Sequence, residues 1–313
     1  MSSTLPRTRP ASVSLTSMIT IEATRFARHP AFIVGVVLTV AVSIWAHFGS
    51  SFVVDGVTYS RSSLLSGTIV PAFFLGLPSL IVAARLVRST DAAAEVMGAA
   101  PQPESRRTLA VAGACVVPFL AGVGWIALAV ALAAIRPMHP SSLWFHNVDD
   151  LWIWSILFAG SALACLGGGL LGVLVGRWLS FPGASVVAVI VLVAVTMAGS
   201  FPFTNSSATA VEWRNWVPWS MWHSGMPVAE EYGMIPAARE VLYPGNPAVY
   251  VLYLLTLCAL AVAAAVWHDR SARTPRLLMT GWGLVALAAV LYILTATTGY
   301  DLIVSEPFPP EAL

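Results

Sequence analysis

The sequence predicts an all-α integral membrane protein, a bundle of about seven transmembrane helices preceded by an amphipathic helix at the membrane interface. Composition is the first observation: of the 313 residues, 58% are hydrophobic and only 10% are charged, whereas about 25% of the residues of a soluble domain are charged. The second observation is that the hydrophobic residues gather into continuous runs. These runs reach the roughly 20 residues that a helix needs to cross a bilayer.

Seven apolar runs define the predicted transmembrane domain, residues 31–298. They contain no Asp, Glu or Arg, and their only histidine is His47, near the end of the first run. Their hydrophobicity is continuous rather than alternating, which favours helices over the strands of a transmembrane barrel. The predicted spans are residues 31–48, 64–84, 108–135, 151–176, 183–201, 247–267 and 277–298.

The arginines predict the orientation of these spans, because the chain has 16 basic residues and none of them is lysine. With residues 1–30 in the cytoplasm, all the arginines except Arg61, Arg136, Arg214 and Arg239 lie in inside segments. Short cytoplasmic loops show this positive bias. Seven spans then place the acidic tail, residues 299–313, outside. The lysine-free, Ala-, Val-, Gly- and Arg-rich composition indicates a GC-rich bacterial genome, and hence a multi-pass protein of the bacterial cytoplasmic membrane.

Missing residue types exclude several mechanisms. A P-loop needs a lysine to reach the nucleotide phosphates, and a retinal Schiff base needs a lysine amine. Ion-coupled transporters usually keep ionisable groups inside the membrane, and the bare spans disfavour that class. Cys115, Cys165 and Cys258 fall within predicted spans and are interpreted as small buried apolar residues rather than as a disulfide or metal framework. The chain is therefore predicted to bind no cofactor or metal and to have no catalytic site of its own.

An amphipathic helix is predicted before the first span, over residues 14–30. Its stripe at helical spacing consists of Leu15, Met18, Ile19, Glu22 and Phe26. The stripe would lie on the membrane while Arg25 and Arg28 face phosphates or cytoplasm. His29-Pro30 is predicted to end the helix, because a proline restricts the residue before it. The alternative is an ordinary basic flank that only sets the orientation.

The segment between the second and third spans, residues 85–107, is the most polar of the predicted cytoplasmic connections. Ser89-Thr90-Asp91 is predicted to cap a short amphipathic helix over residues 92–97, and Gly98 and Pro101 would stop it. Because two or three residues suffice to join adjacent helices, roughly twenty residues here indicate a binding function. A linker helix that lies on the lipid headgroups is the alternative.

These two stretches resemble parts of the ABC-2 type permeases, the membrane-spanning subunits of ABC exporters. In the first cytoplasmic loop of that family, a helix of acidic and basic residues is followed by a turn of two small residues and a proline, and then by a basic pair. The corresponding residues here are Arg88, Asp91, Glu95, Ala99-Ala100-Pro101 and Arg106-Arg107. Glu22, Arg25 and Pro30, just before the first span, resemble the amphipathic connecting helix of the same family.

The resemblance implies a transport subunit that depends on a separate P-loop ATPase subunit, which would bind ATP and Mg. A second copy or a paralogue would complete the path, surrounding lipids would complete the assembly, and nucleic acid is not an expected partner. The charge-poor spans favour apolar or amphipathic cargo. The residues that would contact the ATPase subunit are Glu22, Arg25, Arg88, Asp91, Glu95 and Met97. Because the family core has six spans, a seventh implies either an added C-terminal helix or a re-entrant run.

Residues 202–246 form the predicted external loop, where the family carries a short membrane-dipping element. Four tryptophans recur there at every third residue: Trp213, Trp216, Trp219 and Trp222. Indoles concentrate at the membrane–water boundary, because the ring is apolar while its N–H needs a polar partner. These residues are predicted to anchor the loop at the outer interface. Contact with departing cargo and an aromatic sugar platform are the alternatives.

The second span is the predicted path-lining helix, because its two prolines permit a bend. The path-lining candidates are Ser66, Thr68, Pro71, Pro78 and Ser79.

Two other classes of function remain open from the sequence. One is a membrane sensor or assembly protein that transports nothing. The other is a membrane enzyme that uses the external residues His139, His146, Asp149 and Asp150, whose spacing matches no common metal-ligand pattern. A neighbouring gene for a P-loop ATPase without spans would favour the exporter.

Overall fold

The structure, a computed structural model of the chain, describes residues 14–49, 51–60, 66–97, 103–137, 148–200, 224–225, 241–242, 244–301 and 303–304. These residues are predominantly helical, as the sequence predicts. The helices are α1 (Leu15–Ala27), α2 (Pro30–Gly49), α3 (Leu77–Met97), α4 (Glu104–Ala114), α5 (Val116–Ile135), α6 (Asp150–Phe158), α7 (Ala164–Trp178), α8 (Ala184–Ser200), α9 (Pro247–Trp267) and α10 (Pro275–Thr297). The tryptophan-rich stretch, residues 213–222, lies outside the described residues.

The strands are short and lie beyond the ends of the helices. They are β1 (Ser51–Val54), β2 (Val57–Ser60), β3 (Ser224–Gly225), β4 (Val241–Leu242) and β5 (Ile303–Val304). β1 and β2 form an antiparallel hairpin in which Ser51 lies opposite Ser60. Asp55 and Gly56 at its turn both have positive φ angles, of 49° and 80°. Such a turn matches the twist of the two strands and favours an Asp-Gly pair.

Six helical segments are long and apolar enough to cross a membrane, which indicates a multi-pass membrane protein. They are Pro30–Gly49, Ile69–Asp91, Glu104–Ile135, Asp150–Trp178, Pro247–Trp267 and Pro275–Thr297. Each falls on one of the predicted spans. The remaining predicted span, residues 183–201, corresponds to α8, which has 17 residues.

The path of the chain between α7 and α9 bears on whether the apolar run of residues 183–201 crosses the membrane. α7 ends beside the start of α4, since Arg177 contacts Glu104. α9 begins at the opposite end of the bundle, where the backbone N–H of Asn246 donates to the carbonyl of Thr295 at the end of α10, at 2.9 Å. The chain must therefore return from one end to the other between Trp178 and Asn246. α8 lies in that interval, and whether it crosses the membrane stays a prediction.

The last helix, α10, is peripheral to the others. It packs mainly against α9, where Tyr253 and Tyr292 bring their ring centroids to 5.6 Å. Most of its apolar side chains are exposed, with Met279 at 74% and Trp282 at 65%. An apolar surface of this kind is suited to contact with lipid. Whether this helix is an addition to a six-span core stays a prediction.

The second predicted span is distorted at its two prolines. A turn with wider π geometry, Ala72–Gly76, lies between Pro71 and Pro78. Pro78 has no N–H to donate to the carbonyl of Phe74, four residues earlier. That carbonyl lies against Gly35 of α2, where an added Cβ would overlap the oxygen. A second π turn, Ala159–Leu163, joins α6 to α7. Insertions of this kind often occur at functional sites.

The predicted path-lining side chains of this span lie inside the single chain. Ser79 is fully buried, and its hydroxyl donates to the carbonyl of Leu75 at 2.6 Å. Thr68 is 3% exposed and packs against Gly160, and Pro71 is buried. Pro78 is half-buried, and nothing is described of the Ser66 side chain. A role for these residues along a path therefore stays a prediction and would require the helices to separate.

Small residues allow α7 to approach α3 closely. Gly168 and Gly172, four residues apart on α7, face the backbone of Gly76 and Leu80. A Cβ at Gly172 would overlap the carbonyl oxygen of Leu80 and lie 2.8 Å from its Cα. Such small-residue stripes let helix backbones touch inside a membrane. The α3–α7 contact forms the centre of the bundle, and the segment that ends in α7 is the most buried of the six.

Candidate functional site

A cluster of charged side chains joins the helices at one end of the bundle, which we call the polar end. Arg177, in the last turn of α7, is at its centre, and its side chain is only 2% exposed. Its Nη1 donates to Oδ2 of Asp91 on α3 at 2.6 Å and lies 3.5 Å from Oε1 of Glu104 on α4. A cation in the last turn of a helix is also favoured by the helix dipole. One guanidinium thus ties together the ends of α3, α4 and α7.

His268 extends this cluster to α9, and Arg107 of α4 adds a second basic group beside Asp91. Nδ1 of His268, just after α9, donates to Oε1 of Glu104 at 2.6 Å. Nη2 of Arg107 lies 3.4 Å from Oδ1 of Asp91. The indole of Trp178 packs edge-on against His268, and its N–H donates to the carbonyl of Ala264 at 3.0 Å. Two carboxylates therefore face two guanidinium groups, and the charges balance within the cluster.

Asp269 fixes the start of α4 relative to the end of α9. Its Oδ1 accepts from the hydroxyl and backbone N–H of Ser271, at 2.7 and 2.9 Å, and its Oδ2 accepts the backbone N–H of Ser105 at 2.8 Å. The Ser271 hydroxyl, together with the backbone donors of Ser105 and Ser271, lowers the pKa of Asp269 to about 2. Hydrogen bonds to a carboxylate favour its charged form. The side chain therefore stays ionised at neutral pH and holds both helix ends.

The N-terminal helix α1 is fastened to the same end. It runs from Leu15, after the Ser14 cap, to Ala27, and α2 starts at Pro30. Glu22 is 6% exposed, and both of its oxygens accept from Nη1 of Arg25, at 2.8 and 2.9 Å. Nη2 of Arg25 donates to the Ser89 hydroxyl of α3 at 2.7 Å. The same stripe of α1 packs on α4, where Ile19 meets Gly113. The predicted stripe therefore packs against the protein, and its predicted placement on the membrane is wrong.

The predicted cap at Ser89-Thr90-Asp91 is wrong. α3 is continuous from Leu77 to Met97. The hydroxyls of Ser89 and Thr90 donate backward to the carbonyl of Leu86, a bond that hydroxyl side chains make within helices. Asp91 is held by Arg177. No glycine or proline lies between Ser79 and Met97, so the helix of the second span extends beyond the cluster.

The structure places the predicted ATPase contacts in two groups. Glu22, Arg25, Arg88 and Asp91 have partners within the chain, and Arg88 donates from Nη2 to the carbonyl of Leu179 at 2.8 Å. Glu95 lies on the last two turns of α3 and Met97 is its last residue, and nothing is described of their side chains. Contact with an ATPase subunit stays a prediction for all six residues.

Sequence reasoning missed the central residues of the cluster, Arg177, Glu104 and His268. Arg177 follows directly on the fourth apolar run, and His268 follows directly on the sixth. Each therefore sits where its apolar run gives way to polar residues, which is the signal that could have found them. Their partners lie 86 and 164 residues away along the chain, and no local pattern indicates pairings of that separation.

The remaining predicted residues are those of the membrane-enzyme alternative and the three cysteines. Asp149 and Asp150 lie at the start of α6, whereas His139 and His146 lie outside the described residues. Within the part of the chain that the structure describes, no three His, Cys, Asp or Glu side chains gather in a way that could hold a metal ion. All three cysteines are buried and unpaired with one another, as predicted.

No known protein family matches the chain, and no curated protein matches its sequence.

Proposed function

We propose that the chain is the membrane-spanning permease subunit of an ATP-driven exporter of the ABC-2 type. One observation carries the proposal: α3 is held at Asp91 by the buried guanidinium of Arg177 and continues as a helix to Met97. Because α3 is held at one point and extends beyond it, a displacement of its end can be transmitted to α7. Movement at Met97 would reach α7 through the Asp91–Arg177 ion pair.

The charged cluster has features expected of a contact that can switch between two arrangements of the helix ends. Nε and Nη2 of Arg177 are buried and have no hydrogen-bond partner among the described residues. A buried donor without a partner costs roughly 1–3 kcal/mol, so a second arrangement of these helix ends could satisfy it. Binding and closure of an ATPase dimer would favour one arrangement over the other. The chain itself contributes no lysine for a nucleotide site.

Charge distribution supports a cytoplasmic location for the polar end. Arg25, Arg88, Arg107 and Arg177 all lie there, as the positive-inside bias of short loops requires. The opposite end carries Arg136 and the acidic residues Asp149, Asp150 and Asp301.

An apolar groove supports a hydrophobic or amphipathic cargo. It is an open cavity of about 730 Å³ between α5, α6 and α9. Its walls include Val123, Ile126, Val130, Trp154 and Phe158, and a single hydroxyl, that of Ser155. Ser155 donates this hydroxyl to the carbonyl of Leu151 at 2.6 Å. The groove therefore offers contact area without charge, which suits acyl chains or apolar rings.

The proposal predicts that the protein purifies with a P-loop ATPase subunit and that the end of α3 is needed for the complex. The full chain, affinity-tagged, is expressed in its native host and purified in detergent, and the proteins that accompany it are identified. We expect the double substitution Glu95→Lys/Met97→Asp to reduce the co-purified ATPase at least about tenfold, because a reversed charge and a lost apolar contact each cost more than about 1.4 kcal/mol at the centre of an interface. The matched control is Asp301→Lys, which reverses a charge at the opposite end.

Two outcomes would contradict the proposal. The first is that no ATPase accompanies the wild-type chain, which would favour a sensor or assembly protein. The second is that the double variant retains the ATPase as well as the Asp301→Lys control does.

A further inference from the structure

A second polar feature of the same end is a basic cavity that the coupling cluster does not use. It is open, has a volume of about 480 Å³, and lies between the end of α1, the start of α2 and the last turns of α3. The polar side chains of its wall are Thr24, Arg25, Arg28, His29, Arg85 and Ser89. Arg25, Arg28, His29 and Arg85 have N–H groups that can donate to a ligand, whereas the hydroxyls of Thr24 and Ser89 already donate to backbone carbonyls. Among the residues that the structure describes, no carboxylate lines the cavity.

The cavity carries excess positive charge. Glu22 neutralises Arg25, but Arg28 and Arg85 are exposed, and neither has a carboxylate partner among the residues that the structure describes. Burial, together with the positive charge of Arg85, lowers the pKa of His29. A positive charge beside an imidazole disfavours its protonated form. The lowered pKa therefore agrees with a site where the charge of Arg85 is not neutralised. The guanidinium groups of Arg28 and Arg85 therefore provide two positive charges that can bind an anion.

An apolar surface leads directly away from this cavity. Pro30, at the start of α2, belongs to the cavity wall. Ile33, Val34 and Val37 follow it at three, four and seven residues, which places them on the same face of the helix. Their side chains are 48%, 56% and 60% exposed. A basic recess that opens onto an exposed apolar stripe matches a ligand with a phosphate at one end and hydrocarbon at the other.

We propose that this cavity binds the phosphate headgroup of an anionic phospholipid, with the acyl chains lying along the exposed stripe of α2. Basic pockets between transmembrane helices recognise anionic headgroups in this way. Among the described residues of the wall, no carboxylate offers a partner to the amine of a zwitterionic lipid, so the site favours lipids with net negative charge. The proposal rests on the location in a membrane and does not depend on the exporter function.

The test measures lipid binding to the detergent-solubilised full chain by native mass spectrometry. Phosphatidylglycerol and phosphatidylcholine with identical acyl chains are the two lipid probes, and inorganic phosphate and glycerol 3-phosphate are the soluble probes. We expect the wild-type chain to bind phosphatidylglycerol at least about tenfold more tightly than phosphatidylcholine, and this preference to weaken between about 50 and about 500 mM NaCl.

The variant Arg28→Gln/Arg85→Gln is expected to lose this preference, because two charge-assisted contacts to the phosphate are removed. Arg28→Lys/Arg85→Lys, which keeps the charge, should retain most of it. Arg276→Gln is the matched control, since Arg276 is an exposed arginine at the start of α10 outside the cavity. Equal thermal midpoints of the variants show that the fold is kept.

Three results would overturn the proposal. The wild-type chain could bind the two lipids equally, or the glutamine double variant could keep the wild-type preference. Inorganic phosphate could also displace phosphatidylglycerol at the concentration at which the lipid itself binds, which would assign the cavity to a free anion instead of a lipid.

Discussion

Replacing Arg177 with glutamine is expected to lower the free energy of unfolding by about 1–3 kcal/mol, less than the roughly 3–5 kcal/mol of a fully buried ion pair, because the Asp91 side chain is 38% exposed. The side chain is 2% exposed and contacts Asp91 at 2.6 Å and Glu104 at 3.5 Å. Without the guanidinium, the two carboxylates would lie at the centre of the polar end with only Arg107 and His268 to offset them. Denaturation by SDS in mixed micelles measures the change.

Three further variants separate the ion pair from the packing of the arginine side chain. Arg177→Lys keeps the charge but cannot reach both carboxylates with a planar group, so we expect an intermediate loss. Arg177→Gln/Asp91→Asn removes both partners of the closest pair and should recover part of the stability, because the two residues are coupled. Arg276→Gln, at an exposed position, should change the stability by no more than about 0.5 kcal/mol. An Arg177→Gln protein as stable as this control would contradict the role given to the cluster.

Gly172→Ala is expected to destabilise the protein by about 1–3 kcal/mol through overpacking. A Cβ at this position would overlap the carbonyl oxygen of Leu80. A side chain could relieve the overlap by changing its rotamer, but a backbone atom cannot. α3 and α7 would have to separate, which would also strain the Asp91–Arg177 pair further along the same two helices. Thermal unfolding in detergent gives the difference.

Gly124→Ala is the matched control for this effect. Gly124 lies on α5, and an added Cβ would meet nothing within 4 Å. Alanine is favoured over glycine inside a helix by roughly 0.5–1 kcal/mol, so this variant should be as stable as the wild-type chain or slightly more stable. Equal midpoints for Gly172→Ala and Gly124→Ala would show that α3 and α7 are not in backbone contact.

The helical segments could be predicted closely from the sequence, because their signal is local. The predicted spans 31–48 and 247–267 correspond to the observed segments Pro30–Gly49 and Pro247–Trp267. A run of apolar residues long enough to cross a bilayer has few alternatives to a helix. The start of α2 at Pro30 could also be predicted from the sequence, because proline is favoured in the first turn of a helix.

The charged cluster could not be predicted, because its contacts depend on the packing of distant helices. Asp91 was interpreted as part of a cap, a local function that suits Asp in general. Its observed partner, Arg177, is 86 residues away along the chain. An ion pair with a buried arginine outweighed the local preference, and α3 continued through the predicted boundary. The β1–β2 hairpin was also missed, although Asp55-Gly56 between two β-forming stretches is a strong local signal for it.

The proposed coupling requires the polar end to face the cytoplasm, where an ATPase subunit could reach the end of α3. Cysteine labelling in cells tests this directly, because Cys115, Cys165 and Cys258 are buried and should leave the wild-type chain unlabelled. Arg276→Cys reports on the polar end and Asp301→Cys on the opposite end; both positions are exposed.

A membrane-impermeant maleimide is applied to intact cells and to inverted membrane vesicles. We expect the Asp301→Cys protein to be labelled only in intact cells and the Arg276→Cys protein only in inverted vesicles. Labelling of the Arg276→Cys protein from outside the cell would place the polar end on the wrong side of the membrane and contradict the proposed coupling.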